Sequence, residues 1–368
     1  MILTRLELFN FRNYTEQEVE FSPGRNLIIG SNAQGKSNLL EAVYFLSHLK
    51  SSRAPRAGDL IRENEQSLSV TGVILEEGKR VTVKVKMSNA GKQVLINGQK
   101  TAQPARARGI IKCVLFSPDD LYLVKGDPAR RREFLDETLE GVGPAQASEL
   151  SEYRHLLRQR NAVLRKWEDY GAGLGGALSP WTEGLVDLGG KIVSERLRMT
   201  GEMSALVKLV YGEISGGGKA PGLQYQGSFD VEGKSPGELA KAMRRELEAR
   251  REEEKRLRST PAGPHRDDVV IRLGGRETRY GASQGEQRTL AFCLRIAQKE
   301  YIQETTGKRP VLLLDDVLSE LDEGRRKRVL EMAGAGSQVL MTTTDVPGGM
   351  DIGGAKVLRV KAGRVCVE

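Results

Sequence analysis

Residues 30–37 constrain the fold of this chain more than any other stretch. They read Gly-Ser-Asn-Ala-Gln-Gly-Lys-Ser and match the pattern G-x-x-x-x-G-K-S without a mismatch. The short run before them ends in apolar residues, as a buried strand does, and apolar residues recur at helical spacing over residues 39–49. Strand, glycine-rich loop and helix therefore follow one another in the order that a phosphate-binding loop requires.

The residues of this loop have distinct expected tasks. Gly30 and Gly35 permit backbone conformations that let N–H groups converge on phosphate oxygens. Lys36 is expected against the β and γ phosphates and Ser37 on Mg²⁺, and a merely tight turn would not explain this Lys-Ser pair. We therefore predict binding of ATP and Mg²⁺. The predicted nucleotide-binding residues of the loop are Gly30, Ser31, Asn32, Ala33, Gln34, Gly35, Lys36 and Ser37.

Two aspartates follow an aliphatic strand late in the chain. Residues 311–314 read Val-Leu-Leu-Leu and lead into Asp315 and Asp316. Asp315 is predicted to hold Mg²⁺ directly or through water, as the acid of a Walker-B strand does. Asp316 is predicted to polarise the attacking water as a general base, and the alternative is a cap on the next helix. The catalytic candidates are thus Asp316 and Lys36, and the metal candidates are Ser37 and Asp315.

Residues 283–287, Ser-Gln-Gly-Glu-Gln, form a third signal. A serine and a glycine at a helix start offer a hydroxyl, backbone N–H groups and the positive end of the helix dipole, which suit a γ-phosphate. Alone this pattern is usually a capped helix start, but its position upstream of the Walker-B strand strengthens it. One nucleotide is not easily reached by both loop 30–37 and the Ser283–Gly285 turn within one chain. The pattern therefore predicts a dimer with ATP sandwiched between two chains.

Strand and helix patterns divide the 368 residues into three parts. Strand patterns dominate residues 1–128 and return in 259–368, while long charged helical patterns occupy 129–258. We predict an α/β fold: an ATPase head with a mixed sheet and helices, into which a mainly α-helical lid is inserted. Finer predictions are a first strand with Leu3 and Leu6 on opposite faces, a strand at 276–280, helices at 145–167, 181–211 and 235–258, and glycine loops at 171–176 and 216–218.

The charge balance favours an anionic partner. A net charge of +8 and a pI near 9.3 favour nucleic acid, although ordinary surface lysine and arginine would give the same balance. Three scattered cysteines without a CxxC pattern indicate neither a disulfide framework nor a zinc site. No apolar run is long enough to span a bilayer, and the amino terminus lacks a signal-peptide pattern. We therefore expect a soluble, cytoplasmic protein with no membrane partner.

Six motifs occur in a recognisable order along nearly the whole chain. They are Asn-Phe-Arg-Asn-Tyr at 10–14, the loop at 30–37, Phe-Ser-Pro-Asp-Asp-Leu at 116–121, Gly-Pro-His-Arg-Asp-Asp at 263–268, Ser-Gln-Gly-Glu-Gln-Arg-Thr at 283–289, and the run from Asp315 to Asp322. Together they resemble the RecF family, which consists of ABC-type ATPase heads that act in DNA repair.

The resemblance implies a weak DNA-dependent ATPase in which hydrolysis works as a switch. It implies ATP-dependent dimerisation and binding of single- and double-stranded DNA at gaps. It also implies cooperation with RecR and RecO in loading the recombinase RecA, support of the SOS response, and roles in replication and recombination. The lid would be a short counterpart of the coiled-coil arms of SMC-type proteins.

The resemblance also carries roles to matching residues. Lys36 and Ser37 would bind phosphate and Mg²⁺, Asp315 would be the Walker-B acid, and Asp316 stands where transporter-type heads have glutamate. Ser283 and Gly285 would reach the partner's ATP, and residues 319–322 match the D-loop at the dimer seam.

Two features remain open at this point. Residues 342–345, Thr-Thr-Thr-Asp, stand where general ABC heads have a switch histidine, a departure that RecF-like proteins share. This leaves the γ-phosphate sensor unassigned and suggests slow hydrolysis, and no Q-loop glutamine is placed. Arg12 has two interpretations, a position near the nucleotide or a structural salt bridge.

Two other classes of ATPase compete with this assignment. A transporter subunit has no obvious use for the 247-residue separation between Lys36 and Ser283, filled with charged helices. A chromosome-organising SMC-type clamp would need much longer heptad arms than the insertion supplies. A nuclease has little support, because no separate cluster of histidines and carboxylates exists.

DNA contact is expected through phosphates without base readout, and hence with strong salt dependence. An aromatic content of 5% gives little reason to expect base stacking. The candidate contacts are some basic residues on the head together with arginines and lysines of the lid, such as Arg154, Arg158, Arg244, Arg245 and Arg251.

Overall fold

The computed structural model describes residues 1–54, 56–317, 323–334, 336–344 and 354–367. Within these ranges the strands are β1 (Ile2–Phe11), β2 (Tyr14–Glu20), β3 (Arg25–Ile29), β4 (Ser67–Glu76), β5 (Lys79–Ser88), β6 (Gly91–Ile96), β7 (Gln99–Lys100), β8 (Cys113–Phe116), β9 (Pro221–Gln226), β10 (Asp268–Leu273), β11 (Arg276–Glu277), β12 (Val311–Asp315), β13 (Val339–Thr343), β14 (Lys356–Lys361) and β15 (Arg364–Val367). The α-helices are α1 (Lys36–His48), α2 (Leu121–Lys125), α3 (Pro128–Val142), α4 (Pro144–Arg165), α5 (Trp167–Tyr170), α6 (Leu174–Ser215), α7 (Pro236–Ala249), α8 (Arg251–Leu257), α9 (Thr278–Gly281), α10 (Gln284–Thr306) and α11 (Glu323–Gly334).

A mostly parallel sheet lies at the centre, with strand order β15-β14-β3-β13-β12-β8. β14, β3, β13, β12 and β8 run parallel, and β15 is an antiparallel edge strand. Alternate residues of β12 enter two different hydrophobic cores: Leu313 faces the core around α1, and Leu312 and Leu314 face the core around α10. Burial on both faces explains why this strand is aliphatic throughout.

An antiparallel sheet, ordered β2-β1-β4-β5-β6-β7, packs over α1. Its β6–β7 turn is the predicted Asn97–Gly98 hairpin, and both residues have the positive φ angles, 50° and 81°, that this turn requires. The predicted opposition of Leu3 and Leu6 in β1 is wrong. The pairing register with β4 shifts between Leu3 and Arg5, and this bulge turns Leu3 into the same core as Leu6.

Residues 144–257 are mainly helical, and α6 runs for 42 residues. Two finer predictions here are wrong, and one strand was missed. Residues 174–176 belong to α6 and not to a glycine loop, the predicted helix at 235–258 is interrupted at Arg250, and β9 is a strand that was not predicted. The predicted strand at 276–280 ends at Glu277, where α9 begins.

A third sheet, β11-β10-β9, joins residues on both sides of position 258. Residues of α6 such as Leu185 and Val193 also share one hydrophobic core with Leu312 and Phe292 of the head. The helical insertion therefore packs continuously onto the head. The divisions at 128 and 258 stay predictions.

Candidate functional site

The loop after β3 has the backbone geometry that its glycines permit. Gly35 has a φ of +117°, and a Cβ there would lie 2.7 Å from the Asn13 side chain. A Cβ on Gly30 would lie 2.3 Å from the carbonyl oxygen of Val360 in β14. A larger residue at Gly30 would therefore have to move the backbone of β14, and one at Gly35 would displace the Asn13 and Tyr14 side chains and adopt an unfavourable φ. Ala33, at the exposed crest of the loop, also has a positive φ of 63°.

The 10–14 motif braces this loop from outside. The Tyr14 hydroxyl donates to the carbonyl oxygen of Gly35 at 3.0 Å, and Asn13 Nδ2 donates to the carbonyl oxygen of Gln34 at 2.8 Å. The backbone N–H of Gly363 donates to the same Gln34 oxygen at 3.0 Å. Burial raises the pKa of Tyr14, so its hydroxyl stays a hydrogen-bond donor. The loop is therefore held in shape by contacts from two distant parts of the chain.

Lys36 folds back over the loop. Its Nζ donates to the carbonyl oxygens of Gly30 at 2.6 Å and Ser31 at 2.9 Å. The residue is only 7% exposed, so an ammonium charge sits inside the concave side of the loop with no carboxylate in contact among the described residues. Ser37, next in sequence, is half-buried on the first turn of α1. Such a cradle presents positive charge and N–H groups to an anion.

Arg12 has a structural task. Its guanidinium donates to Glu41 of α1 at 2.9 and 3.1 Å and to the carbonyl oxygen of Asp59 at 2.8 Å. Burial would raise the pKa of Glu41, but hydrogen bonds from Arg12 and Ser51 and the charge of Arg53 lower it below its usual value. Of the two interpretations of Arg12, the structure shows the salt bridge, which ties the first hairpin to α1.

Asp315 and Asp316 are both held by Thr342 of the neighbouring strand. The Thr342 hydroxyl donates to Asp315 Oδ1 at 2.8 Å and accepts from the Asp316 backbone N–H at 2.9 Å. Asp316 has a φ of +52°, a left-handed conformation that is unfavourable for most residues and concentrates at functional sites. One buried hydroxyl thus orients the carboxylate of Asp315 and holds the turn at Asp316.

The strand order brings the loop and the two acids to one edge of the central sheet. Register pairs Asp315 with Thr342, and Thr343 with Ile29, the last residue before the loop. Asp315 therefore lies two strands from the loop, a separation of roughly 10 Å. The loop and Asp315 both lie at the carboxyl ends of parallel strands. Ligands bind at this edge in such sheets.

The Ser283 turn lies at the start of α10 and is not part of this sheet edge. The Ser283 hydroxyl accepts from the Glu286 N–H at 3.3 Å, and the Glu286 carboxylate accepts from the Ser283 N–H at 2.7 Å, which is a reciprocal capping box. Lys219, from the loop after α6, donates to Glu286 at 2.8 Å. Hydrogen bonds from Lys219 and from Ser283 lower the pKa of Glu286 to about 2.

Ser283 is exposed, and no hydrogen bond among the described residues joins it or Gly285 to loop 30–37. α10 packs against β8, which β12 and β13 separate from β3. The structure therefore brings the loop, Asp315 and Asp316 together and leaves the Ser283 turn apart. The predicted D-loop at 319–322 and Asp345 lie outside the described residues.

Sequence patterns missed several supports of the site. Thr342 was noted only for the histidine it replaces, although a hydroxyl at the end of a strand beside an acidic strand end is a usable signal. Lys219, in a glycine-rich loop, gave no signal at all, since its partner Glu286 is 67 residues away.

The donor set fits Mg²⁺. Ser37 and Asp315 offer hard oxygen ligands at the sheet edge, and Mg²⁺ typically takes one or two protein oxygens with phosphate and water. The described residues contain no cluster of three or more His, Cys, Asp or Glu side chains placed to hold a metal ion. Across the same part of the chain, every helix is too short or too polar to cross a bilayer.

This sheet, with its phosphate-loop sequence and acidic strand end on one edge, defines an ABC-type P-loop ATPase head, and the predicted fold class is confirmed. Residues 2–361 match the family model described as RecF/RecN/SMC N terminal domain. The chain belongs to the RecF family.

Individual relatives agree with this assignment. The DNA replication and repair protein RecF of Streptococcus suis (strain 05ZYH33) is 35% identical over 346 residues, 94% of this chain and 93% of that protein. A solved structure of the recombination mediator protein RecF with ATP, in the RecFOR pathway, superposes with a TM-score of 0.92 at 32% identity, covering 100% of this chain and 97% of that one. The Smc head bound to the C-winged helix domain of ScpA, at 18% identity and a TM-score of 0.56 over 100% of this chain and 97% of that one, is similar in fold alone.

Proposed function

We propose that this chain is an ATP-dependent DNA-binding protein of recombinational repair that dimerises around ATP. In this function two heads close on gapped DNA, and hydrolysis opens them again. RecR and RecO are the proposed partners, with loading of RecA as the outcome, in the cytoplasm. The RecF family membership supports these partners and the DNA substrate, and the site supports the ATP switch.

One observation carries the proposal. Each chain has a preformed phosphate cradle with its acids on one sheet edge, and a separate capped helix start, at Ser283, that makes no contact with that cradle among the described residues. Two chains in opposite orientation would complete both sites with surfaces that one chain cannot bring together. This is the arrangement expected of an isologous dimer.

The residues divide the work at the nucleotide. Lys36 and the loop N–H groups would hold the β and γ phosphates, and Ser37 and Asp315 would hold Mg²⁺, which would supply positive charge to offset that of the phosphates. Asp316, turned by its left-handed backbone, would accept a proton from the attacking water. Ser283 and Gly285 would contact the γ-phosphate bound to the other chain.

DNA would lie across the dimer. Among the five lid arginines predicted to contact it, Arg154 is bound to Asp136 and Glu140, and Arg244 is bound to Glu183. These two are less suitable for phosphate contact, because an ion pair must be given up. The exposed candidates that remain are Arg158, Arg245 and Arg251.

Lys36→Ala is expected to abolish ATP-driven dimerisation, because the phosphates lose the ammonium group held between the Gly30 and Ser31 oxygens. Sedimentation velocity with and without ATP measures the effect. Lys241→Ala, on exposed α7, is the control and should dimerise like the unmodified chain. Persistence of the ATP-dependent dimer in Lys36→Ala would remove the phosphate role of this lysine.

Ser283→Arg is expected to leave ATP binding to the monomer intact and to block dimerisation, since the bulky cation would occupy the face offered to the other chain. Ser235→Arg is a matched control, because Ser235 is also an exposed serine in a capping box, with Glu238 on α7. Nucleotide titration and sedimentation are measured on both variants. Loss of monomer ATP binding in Ser283→Arg would contradict the assignment of Ser283 to the neighbouring chain's nucleotide.

A further inference from the structure

The outer face of the antiparallel sheet contains a cleft of about 590 Å³ that the ATP site does not use. Its walls come mainly from β1, β4, β5, β6 and β7. Phe9, Ser69, Lys86, Gln93 and Lys100 are among its lining residues. Hydrogen-bonded strands therefore form most of the cleft, and the tight turn between β5 and β6 adds Ala90.

The pairing register places the relevant side chains in two adjacent rows. Phe9 pairs with Ser69, Ser69 with Lys86, and Lys86 with Gln93. In the next row Lys84 pairs with Leu95, and Leu95 with Lys100. Residues two apart on a strand share a face, so Lys84, Lys86 and Lys100 point the same way as the ring of Phe9.

The part of this face on β5 to β7 is positively charged. No Asp or Glu lines the cleft, and among the described residues Lys84, Lys86 and Lys100 form no ion pair. Lys92 also lines the cleft, but its ammonium binds the Leu49 carbonyl oxygen and is not available.

Acidic side chains limit the cleft on one side. Glu16 and Glu18 lie on β2, opposite Phe9 and Glu7, and Glu7 is itself paired with Arg5 at 2.6 Å. A polyanion would therefore run over β4 to β7 and end at β1. The lid arginines differ, since two of the predicted contacts there are already neutralised by carboxylates.

Phe9 gives this face its second property. Its side chain is 47% exposed, at the end of the row that holds Lys86. A single exposed apolar residue needs no explanation, but an aromatic ring next to unpaired lysines on a sheet is the arrangement that binds unpaired bases. Stacking on a ring needs a base released from its pair, which a duplex does not offer.

We propose that this cleft binds single-stranded DNA, with phosphates on Lys84, Lys86 and Lys100 and an unpaired base stacked on Phe9. The inference rests on the proposed function in one respect, the binding of DNA. The sequence-based expectation left the contacts on the head unnamed and gave little reason to expect stacking, whereas this proposal names the lysines of the head and adds one aromatic ring.

The test measures anisotropy of a labelled oligothymidine and of a labelled duplex over a range of salt concentrations. Phe9→Ala is expected to weaken oligothymidine binding on the order of ten- to a hundredfold and to leave duplex binding nearly unchanged. Phe9→Trp should restore binding. The triple variant Lys84→Gln, Lys86→Gln, Lys100→Gln should lower the slope of log K against log salt for the oligothymidine by about 2.

A matched set of lid variants, Arg158→Gln, Arg245→Gln and Arg251→Gln combined, tests the alternative location. Loss of oligothymidine affinity in the lid set, with normal binding by both head variants, would overturn the inference and leave the proposed function intact. Unchanged DNA affinity with lost dimerisation in Phe9→Ala would assign the face to contact between chains, and would also overturn it. No binding of any DNA by the unmodified protein, with or without ATP, would contradict the proposed function itself.

Discussion

Asp316→Asn is expected to slow ATP hydrolysis by a factor on the order of a hundred to ten thousand while ATP binding persists. The turn that presents Asp316 is held by the hydrogen bond from its N–H to the Thr342 hydroxyl, which asparagine preserves, and asparagine tolerates the φ of +52°. The substitution therefore removes the proposed base without disturbing the turn that places it. With hydrolysis blocked, the ATP-bound dimer should accumulate.

The measurement combines single-turnover hydrolysis with sedimentation of the variant in the presence of ATP and a labelled gapped duplex. A shift from monomer to DNA-bound dimer is the expected result. Asp315→Asn provides the contrast, because it should weaken Mg²⁺-dependent ATP binding as well as hydrolysis. An Asp316→Asn protein that hydrolyses ATP at the normal rate would leave Asp316 as a helix cap.

Arg295→Met is expected to cause the largest loss of stability of any single substitution considered, about 3–5 kcal/mol. Arg295 lies in α10 and is 9% exposed. Its guanidinium donates to Asp120 at 2.6 and 2.9 Å and to Glu137 at 3.1 Å. Removing it leaves the buried carboxylate of Asp120 without its cation and leaves Glu137 with Lys50 alone, and this penalty exceeds the loss of the contacts themselves.

Glu137 shows how far this network reaches. Burial would raise its pKa, but Lys50 and Arg295 lower the pKa of Glu137 far below its usual value, and Tyr44 of α1 donates to it. The network therefore connects the helix after the phosphate loop with the helix after Ser283. Loss of Arg295 should loosen both.

Urea unfolding followed by circular dichroism checks this prediction. The control is Arg244→Met, which removes an exposed pair with Glu183 and should cost less than about 1 kcal/mol. Equal unfolding midpoints for the two variants would show that the buried network contributes no more than a surface pair.

Local sequence patterns predicted those elements whose own residues favour the conformation that they adopt in the fold. The phosphate loop, β3, α1 and β12 are found where the sequence places them, because each is specified by glycines or by continuous apolar residues. The strand β9 was missed because Pro221–Gln226 reads Pro-Gly-Leu-Gln-Tyr-Gln, without clear alternation, and depends on pairing with β10. The strand conformation of β9 therefore results from its pairing with β10 and not from its own sequence.

Tertiary packing also overrides weak helix formers. α6 contains Pro180 and begins with two glycines after Leu174, yet its buried residues pack against α4 and α7 and keep it helical. Similarly, no pattern shows that one hydroxyl, on Thr342, holds both acids, since the pairing of β12 with β13 creates that contact. The kind of site was predictable, whereas its supports depend on long-range pairing.

The braced turn at Ser283 has a kinetic consequence. The hydroxyl oxygen already accepts the Glu286 N–H, so the hydroxyl hydrogen is left for an incoming oxyanion. Because Glu286 and Lys219 already fix the turn, docking on this side in the proposed dimer would cost little ordering entropy. Encounter between two such preorganised surfaces is limited by orientation and steered by charge, so added salt should slow association more than it speeds dissociation.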